Sequence, residues 1–181
     1  ASTGVQIHGG MGFVEETGAA QFLRDARIAA IYEGTNGIQA IDLVMRKLPL
    51  SGGATVAAAI KSYADSAEKA RAINDPGFDR VGTILGEAVK ALGRTTQYML
   101  GKITSAPNDA LAGATPYLRL FGVAAGGAYL VEQALSARVA QAAGETDPAH
   151  DRRIADARFF VENHASTWGG LETSIVEGAD A

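Results

Sequence analysis

The sequence contains no cysteine. That excludes disulfides, thiolate catalysis and cysteine-held metals, and it leaves the compartment open. Histidine is scarce: His8, His150 and His164 stand far apart, without i,i+4 spacing or companion acids, so no metal site is expected. His150 and His164 read as surface residues. No basic run is interleaved with aromatics, and the formal charge of −4 is modest, so no nucleic-acid partner is expected. No apolar stretch approaches a membrane span; Arg119 and Glu132 bracket the longest one. Alternating strand patterns are missing too, and Asn36-Gly37 lies in a helical context rather than at a hairpin. Ser51, Ser105 and Ser136 have no nucleophile-elbow surroundings. There is also no initiator Met and no signal-like segment, and the sequence enters within a helix-like run, Ala1 to Ile7. We read it as the C-terminal part of a longer protein, any targeting signal lying on the earlier part.

What is present is 181 residues, 47% of them apolar, enough for one sizeable core. Residues 1–8 read as the last turns of a helix, closed by Gly9-Gly10, where positive φ is available. Thr17 is the expected N-cap of a helix of about ten residues ending near Ile28–Ile31. The turn Glu33-Gly34 leads to Thr35, the expected cap of the next helix. There Ile38, Ile41, Met45 and Leu48 repeat on one face, and Asp42 and Arg46 pair at i,i+4. Pro49 and Ser51-Gly52-Gly53 make the clearest internal boundary, dividing residues 1–50 from 51–181.

Helices follow one another beyond it. Val56, Ile60, Tyr63 and Ala67 mark one stripe; Phe78, Val81, Leu85, Ala88, Leu92, Met99 and Ile103 mark a longer one. Gly82, Gly86 and Gly93 fall along a line of that second helix, which suggests close approach of another backbone. The segment from Ala114 to Ala143, almost uncharged between Leu120 and Val131, should be central. A last long helix spans about Ala149–Ala165, with Ile154, Val161 and Ala165 inward, and Trp168 anchors a short tail helix. The end from Gly178 onward is expected to fray. The fold class is all-α: an antiparallel helical bundle preceded by shorter helices.

Three motifs carry the chemistry: Gln6-Ile-His-Gly-Gly-Met-Gly-Phe13, Leu23-Arg-Asp-Ala-Arg27 and Ile31-Tyr-Glu-Gly-Thr-Asn-Gly-Ile-Gln39. A glycine pair lets backbone N–H groups approach a phosphate or ring, and Gln6 both donates and accepts. Gly10-Met-Gly12 lacks the third glycine and preceding strand of a dinucleotide fingerprint. Thr35, Asn36 and Gly37 open a helix whose free N–H groups suit an anion. Glu33 has an apolar wall in Ile31 and Tyr32 and a bare backbone in Gly34, although a glutamate ahead of a helix is also favoured by the dipole alone. Arg24 and Asp25 read as members of structural ion pairs.

In order and spacing these motifs resemble the closing signature of the acyl-CoA dehydrogenases, flavoenzymes that desaturate fatty acyl thioesters. The tail resembles the appended helical domain of the subgroup that includes methylthiopropionyl-CoA dehydrogenases. The resemblance makes Glu33 the base that takes the substrate α-proton, and it sets Gly34 against the substrate. It assigns Gln6, Ile7, His8, Gly9 and Gly10 to an FAD held by a neighbouring subunit, and Thr35, Asn36 and Gly37 to flavin as well. The family commonly carries a larger polar residue where Gly37 stands. Arg46 is one position out of register with a substrate-contacting arginine of some relatives and is not assigned.

The expected partners are an acyl-CoA substrate, an electron-transferring flavoprotein and further copies of the chain. An oxidase passing electrons to oxygen is the alternative within the class, and a non-catalytic oligomerisation or docking bundle the alternative outside it. The expected compartment is a bacterial cytoplasm, with the mitochondrial matrix as the alternative. The isolated chain is expected to be colourless and inactive, because it offers only part of a flavin site.

Overall fold

A computed structural model describes residues 1–179. It is all-α, with no strand among the described residues. The chain divides into two compact units, Ala1–Gln39 and a larger one that begins at Ala40. None of the helices among the described residues is long and apolar enough to cross a membrane.

The first unit holds three helices, α1 (Ser2–Ile7), α2 (Gly10–Phe13) and α3 (Ala19–Ile28), which contact one another. A fourth, α4 (Asn36–Asp42), straddles the division. Gly9 lies at φ 60° and redirects the chain between α1 and α2, as the glycine pair implies, whereas Gly10 is already helical. Gly12 is the unit's buried residue, because a Cβ there would stand 2.2 Å from the Val5 carbonyl oxygen. The N-cap of α3 is Gly18 in the left-handed region, not Thr17. The Thr17 hydroxyl instead donates to the Met11 carbonyl at 2.6 Å and ties the preceding turn together. Arg24 pairs with Glu15 at 2.9 Å, but Asp25 accepts from the Gln21 amide rather than from a cation.

The second unit is the bundle. Its long helices are α5 (Ala54–Ala72), α6 (Pro76–Ser105), α8 (Ala114–Ala142) and α9 (Ala149–Asn163). Two short ones, α7 (Pro107–Ala112) and α10 (Trp168–Val176), complete it. The α5–α6 turn is set by Asp75, whose carboxylate accepts from Gly77 N–H at 2.8 Å ahead of Pro76 at the first helical position. Leu85, Leu92, Met99, Leu120, Val131 and Val161 are fully buried, so the expected inward face of α6 is the observed one. α8 packs on α5, α6, α9 and α10, the central place its composition implies. The Tyr117 hydroxyl bonds Thr96 Oγ1 at 2.6 Å, and burial pushes its pKa up to about 12. The tail helix is held by Ile175 in the core and by a two-pronged Arg94–Glu172 pair at 2.7 Å. The expected fraying lies partly outside the described residues; Glu177–Ala179 form a turn.

One expectation for this unit is corrected. His150 is 5% exposed, not a surface residue. The loop before α9 folds over it, with Glu145 Oε2 at 3.2 Å from Nε2 and Arg153 Nη1 at 3.3 Å from Nδ1. Arginine can only donate, so Nδ1 accepts and the neutral Nε2–H form satisfies both partners. In the stretch after Thr35, Leu48 is buried but Ile38, Ile41 and Met45 are exposed, while Ala40 and Val44 are buried. A π-helical turn, Leu43–Lys47, runs through this stretch, with Leu48 N–H donating to Leu43 O at 2.9 Å.

The glycine line of α6 does face α5, in antiparallel order: Gly82 opposite Ala67 and Arg71, Gly86 opposite Ala67, Gly93 opposite Ile60. Only Gly82 is indispensable. A Cβ there would stand 2.6 Å from the Ala67 carbonyl oxygen, whereas one at Gly86 would meet the Ala67 methyl at 3.9 Å. Gly82→Ala should therefore lower stability by about 1–3 kcal/mol through forced separation of the helices. Gly86→Ala should raise it by up to about 1 kcal/mol through helix propensity. Denaturant midpoints of the two variants check this, with opposite signs expected.

Tyr117 gives a pH-dependent expectation. Its folded-state pKa lies above its unfolded value, so the neutral phenol's contribution is complete below about pH 10 and is lost as pH rises toward 12. The stability advantage of the native chain over Tyr117→Phe should shrink by about 2 kcal/mol between pH 9 and 12. Chemical denaturation of both proteins across that range measures it.

Candidate active site

The turn between α3 and α4 covers residues 29–35, and Glu33 sits near its end at φ 55°, in the left-handed region. Gly34 follows at φ 74°. Among the described residues, Glu33 and Ser51 are the only non-glycines at positive φ. A side chain there costs on the order of 1–3 kcal/mol, and such strain persists where surrounding contacts over-determine it. A Cβ on Gly34 would stand 3.0 Å from Ile38 Cγ2, so glycine is needed there for both conformation and space. The Gln39 side-chain amide donates to the Glu33 carbonyl oxygen at 2.8 Å, and the Gln39 backbone N–H donates to the Thr35 carbonyl at 3.1 Å. The latter makes Thr35 the N-cap position of α4, as the sequence implies.

The Glu33 carboxylate is exposed and has no hydrogen-bond or ion-pair partner among the described residues. Ile31 and Tyr32 beside it are more than half exposed. An apolar hollow in this unit is lined by Val5, Phe13, Val14, Ala20 and Leu23, but Glu33 is not part of its wall. The turn therefore presents a carboxylate and bare backbone outward without enclosing a substrate. No group of histidines and acids among the described residues could hold a metal.

The other motif residues are also displayed outward. Gln6, Ile7, His8, Gly9 and Gly10 are exposed, and so are Thr35, Asn36 and Gly37. Apart from the adjacent residues and the local helix backbone, no described atom lies within 4 Å of where a Cβ on Gly9 or Gly10 would sit, so the backbone there is open to an approaching group. His8 Nδ1 lies 2.8 Å from the Gly4 carbonyl oxygen and must carry the proton in that contact, which leaves Nε2 of this exposed residue without a role in it. This donor set fits one edge of a flavin dinucleotide, as a lip rather than a cradle. Among the described residues, no packing comparable to that among α1, α2 and α3 joins α4 to them, so Gln6–Gly10 and Thr35–Gly37 are not gathered into one pocket. Asp42, further along, is bonded by both Arg46 and Lys47, at 2.6 and 3.1 Å, which hold its carboxyl below the usual range.

The sequence pattern missed Gln39 as a site residue. Its clue is its place at the first turn of a helix, from which a long amide reaches back toward the N-terminus.

Residues 1–48 match the model described as Acyl-CoA dehydrogenase, C-terminal domain, and residues 54–181 match Acetyl-CoA dehydrogenase C-terminal like. The 3-methylmercaptopropionyl-CoA dehydrogenase of Ruegeria pomeroyi is 42% identical over the whole of this chain and 31% of its own length. A butyryl-CoA dehydrogenase of Syntrophomonas wolfei is 29% identical over 88% of this chain and 26% of its own. The broad-specificity linear acyl-CoA dehydrogenase of Mycobacterium tuberculosis is likewise 29% identical over 88% of this chain, and 27% of its own. The chain spans less than a third of the length of these relatives. With both family models matched in succession, the chain belongs to the acyl-CoA dehydrogenase family, of which it carries the C-terminal part.

Proposed function

We propose that the complete protein is an FAD-dependent acyl-CoA dehydrogenase in which Glu33 is the catalytic base. The observation that carries this is the strained, exposed and unpaired Glu33 in the turn before α4. A carboxylate left unpartnered in a costly conformation has no structural task in its own unit, and stored strain of this kind gathers at functional sites. The Glu33 carboxylate takes the α-proton of an acyl-CoA thioester, and a carbon–carbon double bond forms as the β-hydride leaves, giving a trans-2-enoyl thioester. FAD, when bound, accepts that hydride. Electrons then pass to an electron-transferring flavoprotein, with oxygen as the alternative acceptor.

Gly34 leaves the backbone beside the base bare and so gives the substrate close access to it. Gln6 to Gly10 contribute one edge of the flavin site and Thr35 to Gly37 another. The protein-derived wall that removes water from Glu33 comes from outside this chain, because Ile31, Tyr32 and Glu33 are all exposed within it. Residues 1–50 serve as the end of the dehydrogenase C-terminal domain and 51–181 as an appended bundle. The proposed homo-oligomer forms through the exposed apolar faces of the first helices, where Ile7, Phe13 and Phe22 lie open. The proposed compartment is a bacterial cytoplasm.

Two substitutions separate base from strain. In the full-length protein, Glu33→Gln should retain flavin while its reduction by 3-methylmercaptopropionyl-CoA or butyryl-CoA slows by about two to four powers of ten. Glu33→Gly should be equally inactive yet more stable locally by about 0.5–1 kcal/mol, because glycine accepts the left-handed conformation. Stopped-flow flavin bleaching reads the first effect and hydrogen exchange of the Gln39 amide reads the second. Wild-type bleaching rates in Glu33→Gln would remove the assignment.

The isolated chain should purify colourless and reduce no dye with either thioester, since tight dinucleotide binding needs most of the ligand enclosed. A stoichiometric flavin spectrum on this chain alone would overturn that expectation.

A further inference from the structure

We infer that Gln39 is a positioning residue for the reaction, holding Glu33 in its reactive place through the peptide that Glu33 shares with Gly34; this rests on the reading of Glu33 as the base. The left-handed Glu33 does not keep its conformation by its own preference. Its carbonyl lies outside the helix, since the first helical acceptor is Thr35 O, and it would otherwise be left to water. Gln39 supplies the missing donor. Its side chain points back along α4 and donates from Nε2 to Glu33 O at 2.8 Å, six residues upstream.

The same residue closes the turn a second time, through its backbone N–H on Thr35 O. Its neighbour Ile38 lies beside Gly34, its Cγ2 3.0 Å from where a Cβ would sit. One helical turn thus holds the peptide on the C-terminal side of the Cα that carries the carboxylate. The Glu33 side chain has no hydrogen-bond or ion-pair partner among the described residues, so its direction is set through this backbone. A base that must reach an α-carbon within hydrogen-bonding distance loses rate steeply with misplacement. Gln39 does not touch the substrate in this account; it acts through Glu33.

Gln39→Met preserves length and bulk but removes the donor, and Gln39→Asn keeps the amide but is one methylene too short. Gln39 is half-buried, so neither variant disturbs a core. Each is made in the full-length holoenzyme beside Glu33→Gln, with 3-methylmercaptopropionyl-CoA and butyryl-CoA as probes. The limiting rate of flavin reduction, per bound flavin, should fall about tenfold in both variants, the effect of one lost hydrogen bond in the transition state. The α-deuterium isotope effect should rise as proton removal becomes more rate-limiting. Flavin content and melting temperature should stay near wild type. A purely structural role would lower the last two and leave the rate per flavin and the isotope effect unmoved, and that pattern overturns the inference.

A crystal structure of Gln39→Met gives a readout independent of turnover. Glu33 should leave the left-handed region or lose order; an unchanged φ at an ordered Glu33 overturns the inference. If Glu33→Gln alone bleaches at the wild-type rate, it is the base assignment that fails, and the crystal structure still decides whether Gln39 holds the turn.

Discussion

Two consecutive left-handed residues, Glu33 and Gly34, turn the chain between α3 and α4, and Glu33, Gly34 and Thr35 take their places from that turn. A glycine at 33 would make the same turn at less cost. The chain instead keeps a glutamate there, braced by Gln39 on its carbonyl and by Ile38 against Gly34. Strain is tolerated where contacts elsewhere outweigh it, and the bracing here comes from the first turn of one helix. The proposed base, the bare backbone and the cap of α4 thereby fall within three residues, 33 to 35.

The two units are stabilised in different ways. The bundle has a continuous core in which every long helix contributes fully buried side chains, and its polar interior atoms are satisfied: no buried side-chain nitrogen or oxygen among the described residues lacks a partner. Lys69 and Ser66 both hold Glu132, and Arg94 holds Glu172, so each of these carboxyls is pulled below its usual range first by its cation. The first unit shows the opposite. Ile7, Phe13 and Phe22 are 79%, 81% and 74% exposed, an apolar display larger than an independent domain of this size would carry to water. Its helices are ordered by local contacts such as Gly12 against Val5, not by a core.

That difference governs what could be read from the residues. The bundle was legible because Leu85, Leu92 and their neighbours repeat at three–four spacing between Pro- and Gly-marked turns, and helices that bury their own stripe follow that pattern. In the stretch after Thr35 the strongest apolar residues are Ile38, Ile41 and Met45, yet the smaller Ala40 and Val44 are the buried ones. Periodicity reports that a face is apolar, not which body covers it. His150 escaped because a polar residue's burial depends on the loop that closes over it, and Glu145 and Arg153 lie at spacings unrelated to any stripe. Thr17 lost the cap to Gly18 because its hydroxyl found a nearer use on Met11 O. Glu33 stood out through its motif, but its strain and the Gln39 contact belong to backbone geometry, which residue patterns do not encode.

The π-helical turn shows how local geometry changes the meaning of a spacing. In an α-helix each residue advances by about 100°, so partners at i+4 and i+5 of an aspartate lie on different faces. Asp42 is nevertheless bonded by Arg46 at i+4 through one oxygen and by Lys47 at i+5 through the other. The wider turn from Leu43 to Lys47, with its i+5 hydrogen bond into Leu48, brings both cations around to the same carboxylate. The i,i+4 pair expected from the residues therefore exists, but as half of a three-membered cluster. The same widening adds a residue to the turn while Val44 and Leu48 both stay on the buried side. Cluster and core contact are thus two results of one backbone adjustment, and Arg46 is committed to Asp42 by the geometry that also returns Leu48 to the core.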